Sequence, residues 1–209
     1  MSLHAKDGVW VPPTPRPAAT MVLVQRGEVL LLRRSQTMAF APSMHVFPGG
    51  GVSASDQETI DPLRACAIRE TREEVGITVR ECRLIDRWVT PEVEDRRFDV
   101  AFFIAHVEQS GRLTTTEADD MLWIAPKRAL ELHSQGELPM LRPTAVVLSD
   151  LLHGNIPGEG ESILAKLPRL RQDGRWDVVD ADTGSILATV DDGPTIAETD
   201  GGSLTIEGT

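Results

Sequence analysis

Asp61-Pro62-Leu63-Arg64-Ala65-Cys66-Ala67-Ile68-Arg69-Glu70-Thr71-Arg72-Glu73-Glu74-Val75-Gly76-Ile77 carries the punctuation for both ends of a helix. Asp61 can cap orphan N–H groups, Pro62 lacks a donor where none is needed, and Gly76 can take the left-handed conformation that stops a helix. The spacing predicts a helix over Pro62–Val75. At about 100° per residue, Glu70, Glu73 and Glu74 fall within an arc of roughly 100°, and Ile68, Thr71 and Val75 form the opposite, core-facing stripe.

Three carboxylates on one face repel, each like-charge pair costing roughly 0.2–0.5 kcal/mol on a helix. Arg72 projects away from them. Arg69 lies four residues before Glu73 and is expected to pair with it, leaving Glu70 and Glu74 free to present oxygens outward. Hard oxygen donors of this kind suit Mg²⁺ or Mn²⁺. The competing account is a solvated acidic face, the ordinary use of a glutamate-rich helix.

Working outward, VPPTPRP at residues 11–17 holds four prolines that fix φ and remove donors. Residues 1–17 are therefore expected to be an arm, with the fold starting near Ala18. Ala19 to Gln25 and Glu28 to Arg33 are strand-like runs split by Arg26-Gly27, the pattern of a tight hairpin. From Ser35 to Ile60 periodicity vanishes while Pro42, Pro48 and Gly49-Gly50-Gly51 accumulate, predicting a long loop that passes close to another part of the chain. Further strands are expected at Cys82–Thr90, Phe98–Val107 and Met121–Ile124, with helices at Pro126–Ser134 and Thr144–Leu152. Residues 18–168 form the expected main domain, an α/β sandwich. Residues 169–209 carry acidic, turn-rich, strand-length pieces such as Arg175–Val179 and Ser185–Val190, predicting a small β appendage.

With 41% apolar residues over 209 positions, the chain can bury one sizeable core. The net charge of −11 repels phosphate polymers and argues against nucleic acid as a partner, so an anionic small molecule must be met by local cations or a metal. Cys66 and Cys82 have no metal-ligand spacing, and the histidines at 4, 45, 106, 133 and 153 are too scattered for a structural metal cage. No basic leader followed by an apolar run opens the chain, and no segment approaches the roughly 20 apolar residues of a membrane span. The final Ile206-Glu207-Gly208-Thr209 is no Ser-Lys-Leu-type address. A cytoplasmic enzyme without a membrane partner is the expectation.

Arg69-Glu70-Thr71-Arg72-Glu73-Glu74-Val75-Gly76-Ile77 resembles the second half of the Nudix box, Arg-Glu-U-x-Glu-Glu-x-Gly-U with U usually aliphatic; Thr71 is a mild departure. The first half of that box is Gly, five residues, Glu, seven residues, then Arg. Gly50 precedes Arg69 by 19 positions where 14 is usual, and counting back from Arg69 puts Asp61 at the place of the first Glu. The resemblance runs from Ala19 to Leu152 through Val46-Phe47-Pro48-Gly49-Gly50, Trp88-Val89-Thr90-Pro91, Arg97-Phe98-Asp99, Phe102-Phe103, Glu117 and Trp123. It implies an α/β/α sandwich with a mixed sheet and a Mg²⁺-dependent (or Mn²⁺-dependent) hydrolase that cleaves a diphosphate linkage.

Carried over by resemblance, Glu70, Glu73 and Glu74 with the Gly50 backbone would hold the metal. Glu73, Glu74 and Glu117 would serve catalysis, with Arg69 orienting Glu73. Gly49, Gly50, Arg34 and Arg97 would meet the substrate; Arg33 is also available, and Phe40 and Phe98 could stack on an adenine or pack in the core. The stretch Leu30–Asp56 looks like the coenzyme A diphosphatase branch of the family, which implies coenzyme A or acyl-coenzyme A as substrate. ADP-ribose, NADH, nucleoside triphosphates and nucleotide sugars stay open, as does a Nudix-fold sensor that binds a nucleotide without cleaving it. Family members are often dimers, so a homodimer is expected.

Overall fold

The computed structural model describes residues 5–6, 9–38 and 41–190. A small pair, β1 (Ala5–Lys6) and β2 (Val9–Trp10), precedes the hairpin β3 (Arg16–Gln25) and β4 (Glu28–Arg34). Arg26 and Gly27 both adopt positive φ (51° and 82°), the geometry a two-residue turn needs to match strand twist. Next come β5 (His45–Val46), β6 (Gly49–Gly51), α1 (Ala54–Gln57), α2 (Pro62–Val75), β7 (Arg83–Val89), β8 (Phe98–His106) and β9 (Ala118–Ile124). The helices α3 (Pro126–Ser134) and α4 (Arg142–His153) lead to β10 (Ala165–Leu170), β11 (Trp176–Asp180) and β12 (Ile186–Val190).

Ten strands form one mixed sheet in the order β12-β11-β10-β7-β8-β3-β4-β5, with β6 on β3 and β9 on β4. The pairs β3–β8 and β7–β10 are parallel and the others antiparallel. β3 and β4 pair only beside their turn, at Val24↔Val29 and Gln25↔Glu28, then separate. β6 takes the place beside the first half of β3, and β9 runs along β4.

Alternation assigns the two faces. Ala19, Met21 and Leu23 of β3, Leu30 and Leu32 of β4, and Ala101, Phe103 and Ala105 of β8 pack with Cys66, Ala67 and Val75 of α2. Val22, Val29, Leu31, Phe102 and Ile104 pack with Ala129 of α3 and Ala145, Val147 and Leu148 of α4. Both faces are covered, which is why these strands are almost continuously apolar. The expected α/β/α sandwich with a mixed sheet is what forms.

Helix α2 has the expected bounds: Asp61 accepts from the Arg64 N–H, Pro62 stands in the first turn, and Gly76 takes φ 68°. Thr71 is fully buried and donates its hydroxyl to the Ala67 carbonyl at 2.7 Å, which satisfies the polar atom within the apolar stripe. The segment after β8 caps the helix end from outside: Arg112 N–H donates to Val75 O, Thr114 N–H to Glu74 O and Thr114 Oγ1 to Glu73 O. Gly111, at φ 67°, passes so close that a side chain would meet the Val75 carbonyl at 2.8 Å.

Three expectations are revised. The Ser35–Ile60 stretch is not a plain loop, because β5, β6 and α1 lie within it. Strand β3 begins at Arg16, inside the expected arm, and the arm is tied down by Trp10 Nε1 donating to Glu92 O. The division after residue 168 runs through β10, and β10 to β12 continue the main sheet through the pairing of β10 with β7. The tail beyond residue 190 lies outside the described residues.

A side chain at Gly76 would meet nothing within 4 Å, so a substitution there tests backbone conformation alone. Gly76→Ala is expected to lower stability by about 1 kcal/mol, read as a lower urea midpoint with unchanged slope. A midpoint equal to wild type would contradict the left-handed cap.

Candidate active site

The chain from Pro48 to Gly51 is drawn under α2 by its pairing with β3. The Pro48 carbonyl accepts from Met21 N–H at 2.8 Å and from Thr20 Oγ1 at 2.6 Å. A Cβ on Gly49 would meet the Ala19 carbonyl at 2.5 Å, and one on Gly50 would overlap Glu70 Oε1. Both positions therefore need glycine for close approach rather than for an unusual φ. The Gly49 N–H donates to Glu74 Oε2 at 2.8 Å, and the Gly50 carbonyl accepts from the Cys66 thiol at 3.4 Å. Burial pushes that thiol up to about 11, so it remains protonated and able to donate.

Arg69 joins the helix to the preceding loop. Its Nη1 donates to Glu70 Oε1 and to Glu73 Oε2, both at 2.9 Å, and its Nη2 donates to Asp56 Oδ2 at 2.8 Å and to Gly51 O at 3.1 Å. Its Nε adds bonds to both Asp56 oxygens. The expected Arg69–Glu73 pair is present, but Glu70 is not free as expected, because the guanidinium fork reaches it as well. Asp56 is almost fully buried, and Arg69 above all, with the Ser53 N–H and hydroxyl, holds its carboxyl down at about 2.

Asp56 was missed in the sequence although its signal was there: Ser53-Ala54-Ser55-Asp56 is a capping box that starts α1. Counted forward from Gly50, Asp56 also stands at the place of the box's first acid. Asp61, reached by counting back, caps α2 and lies near Arg64 at 3.6 Å.

Glu74 is held inward by Gly49, not presented outward as expected. Burial, reinforced by the charges of Glu70 and Glu117 and opposed by the Gly49 N–H and Arg34, raises its carboxyl to about 8. Burial also raises Glu70, against the pull of Arg69. Glu73 keeps a half-exposed side chain. Arg34 is lowered by burial, opposed by the charges of Glu117 and Glu74. Glu70, Glu73, Glu74, Arg69, Gly49, Gly50, Arg34 and Glu117 are thus brought to one corner of the fold.

Beside this corner opens a cavity of about 360 Å³. Arg34, Gly49, Gly50 and Glu117 form its polar side; Phe47, Trp88, Pro91, Phe98, Leu141 and Pro168 are among its apolar walls. The structure does not bring Arg97 to this wall. Its buried guanidinium donates to Thr90 O at 3.0 Å and Pro13 O at 2.9 Å, fastening the N-terminal segment to the β7–β8 connection. Arg33, one residue from Arg34 on a strand, points elsewhere and pairs with Asp119 at 2.6 Å. Phe98 lines the cavity, and Phe40 lies outside the described residues.

Among the described residues no three of His, Cys, Asp or Glu form a ready-made metal cage. The donor chemistry nevertheless fits a hard divalent cation of the Mg²⁺ type. Such a cation is commonly held by one or two carboxylates, waters and substrate phosphates rather than by a closed protein cage.

Residues 14–143 match the family described as NUDIX domain. The chain belongs to the Nudix family. A Nudix hydrolase from Alicyclobacillus acidocaldarius is 30% identical, with a TM-score of 0.62 over 67% of this chain and 92% of that one. The Nudix domain of Shewanella oneidensis NrtR, solved with ADP-ribose, shares the fold at 13% identity and a TM-score of 0.54, covering 68% of this chain and 91% of that one. A Caenorhabditis elegans protein named nudix hydrolase 7 is 27% identical over 177 residues, 65% of this chain and 60% of the relative. The chain thus spans three fifths of the length of that curated relative. Hydrolases of the Nudix family generally use divalent metals. No described helix is long and apolar enough to cross a membrane.

Asp56 supplies a pH test of the Arg69 clamp. Its folded-state value of about 2 lies below the ordinary 3.8, so its contribution is fully present above pH 4 and is lost as pH falls toward 2. Asp56→Asn is expected to reduce stability near neutral pH on the order of 2 kcal/mol. That difference should shrink toward zero at the acid end in urea titrations; a difference independent of pH would rule out the ion-pair account.

Proposed function

We propose that this chain hydrolyses a diphosphate linkage in a nucleoside-diphosphate-X substrate with Mg²⁺ or Mn²⁺, and that coenzyme A or acyl-coenzyme A is the X-bearing substrate. The observation that carries the reaction is the buried Glu74 carboxyl, held by the N–H of Gly49, a residue of the cavity wall, with the charges of Glu70, Glu117 and the cavity-lining Arg34 acting on it. Glu70 and Glu74, with Glu73 and the Gly50 carbonyl, would hold the cation. When bound, it supplies Lewis acidity and a template for the phosphates.

The chain's own residues do the rest. Gly49 and Gly50 line the cavity, where their backbone can border the phosphate oxygens. Arg34 is a bidentate donor for the diphosphate, sited where an acidic protein most needs a cation. Water attacks one phosphorus, the bond from that phosphorus to the bridging oxygen breaks, and Glu117 at the cavity rim takes the water's proton. Arg69 is a positioning residue in this scheme, since its donors are spent on Asp56, Glu70, Glu73 and Gly51.

The coenzyme A reading is supported by the family-branch likeness of Leu30–Asp56 and by the spacing of the box. Gly50 and Asp56 keep the usual interval, while twelve residues instead of seven separate Asp56 from Arg69, so the lengthening falls between α1 and α2. Arg34 and Arg142 line the same cavity, as a substrate with more than one phosphate group would require.

Glu74→Gln keeps the shape and removes the ionisable oxygen that would meet the cation, and is expected to lower kcat with Mg²⁺ at least a hundredfold while the melting temperature stays within a few degrees. Turnover like wild type would overturn the metal assignment. Across coenzyme A, acyl-coenzyme A, ADP-ribose, NADH and nucleoside triphosphates, mass analysis is expected to show coenzyme A cleaved to 3′,5′-ADP and a 4′-phosphopantetheine product. Efficient ADP-ribose turnover without coenzyme A cleavage would overturn the branch assignment.

A further inference from the structure

Strand β10 lies beyond residues 14–143, the segment that matches the family, yet it reaches the substrate cavity. It runs parallel to β7 with Lys166 in register with Trp88. Side chains in register on neighbouring strands share a face, and so do residues two apart on one strand. Lys166, Pro168 and Trp88 therefore stand together, and Pro168 and Trp88 both line the cavity.

The Trp88 indole is held by two groups. Asp86 Oδ2 accepts its Nε1–H at 2.8 Å and also accepts from Lys166 Nζ at 2.9 Å. The Lys166 ammonium sits 5.2 Å from the centre of the indole ring. Asp86 and Trp88 are both buried and only Lys166 is partly exposed, so the Asp86–Trp88 end of the network is shielded from competing water. An ammonium beside an aromatic ring, sharing its carboxylate, restricts both the tilt and the rotation of that ring. Nothing in the reaction proposed above requires this arrangement, since the bond-breaking groups lie at the polar side of the cavity.

We propose that β10 is a specificity element: Pro168 forms part of the wall that receives the uncharged end of the substrate, and Lys166 is a positioning residue that sets the Trp88 ring against that end. The inference rests on the cavity being the substrate site. The ligand class it selects is a nucleoside diphosphate joined to a planar or apolar group, because the walls near Trp88 are Val89, Pro91, Phe98 and Pro168 and offer little charge.

The test compares Lys166→Met, Lys166→Arg and Pro168→Ala with wild type on the diphosphate panel above. Lys166→Met is expected to raise KM about tenfold for substrates with planar or acyl ends, with kcat falling less than threefold, and to alter the kcat/KM ratio between panel members by fivefold or more. Lys166→Arg should restore most of the KM, and Pro168→Ala should change the ratios without changing Trp88 emission. Lys166→Met should also shift tryptophan emission. A folded Lys166→Met with all ratios within twofold of wild type would overturn the proposal. Should Lys166→Met fail to fold, Pro168→Ala decides alone, and unchanged ratios there count against it. Titrating ADP-ribose and coenzyme A without divalent cation, followed by tryptophan quenching, keeps the two readings apart. Absence of wild-type hydrolysis in the panel overturns the reaction, whereas Kd values that neither variant moves overturn the role of β10.

Discussion

Everything at the site depends on how one guanidinium, Arg69, is shared among carboxylates. Glu70, Glu73 and Glu74 fall on one side of α2 because of the helical period, and like charges at such spacing oppose one another by roughly 0.2–0.5 kcal/mol per pair on a solvated helix, and by more where burial lowers the dielectric. Arg69 reaches Asp56, Glu70, Glu73 and the Gly51 carbonyl at once, which only a planar fork of five donors can do. In doing so it joins α1, the glycine segment and α2 into one piece. A lysine would keep the charge and lose the simultaneous contacts. The clamp still leaves an imbalance, because one positive charge faces Asp56, Glu70 and Glu73, with Glu74 buried beside them. That residue of negative charge is what a divalent cation would offset.

The clamp requires the glycine segment to lie beneath the helix, and the sheet provides this by parting. β3 and β4 pair for two residue pairs and then diverge, and β6 fills the gap. At that place a Cβ on Gly49 or Gly50 would strike backbone or the Glu70 carboxylate. The same parting leaves Arg34, at the far end of β4 from the turn, on the side of Leu30 and Leu32, which face α2. Its charge therefore falls near Glu74, while Arg33 is sent to Asp119.

The β3–β4 hairpin was legible in the sequence, as were the caps of α2, because both are written in residues that are neighbours along the chain. The choice between Asp56 and Asp61 was less so. Counting back from Arg69 assumes that any lengthening lies before the acid; the capping box at Ser53 and Asp56 was the local clue that it lies after. Arg97 could not be judged from its letter. Whether an arginine meets a substrate or a backbone carbonyl depends on where Pro13 and Thr90 come to rest. The pairing of β10 with β7 joins residues about 80 positions apart, so strand-length pieces near the C-terminus looked like a separate appendage. Local signals name elements; long-range pairings decide which of them share a wall.

The acidic character of the chain then acquires a direction. With a net charge of −11, an anionic substrate approaches against the mean field, and a carboxylate cluster at the site adds to that opposition. In the function proposed above, cation and diphosphate each remove the chief obstacle to the other's binding. The cation offsets the carboxylates that repel the phosphates, and the phosphates complete the coordination that the protein leaves open. Such coupling is reciprocal by thermodynamic necessity. The apolar walls strengthen it, since excluding water from the cavity lowers the local dielectric in which these charges meet. A cage that bound the metal tightly by itself would lose this dependence. An open set of carboxylates, partly spent on Arg69 and Gly49, is the arrangement that preserves it.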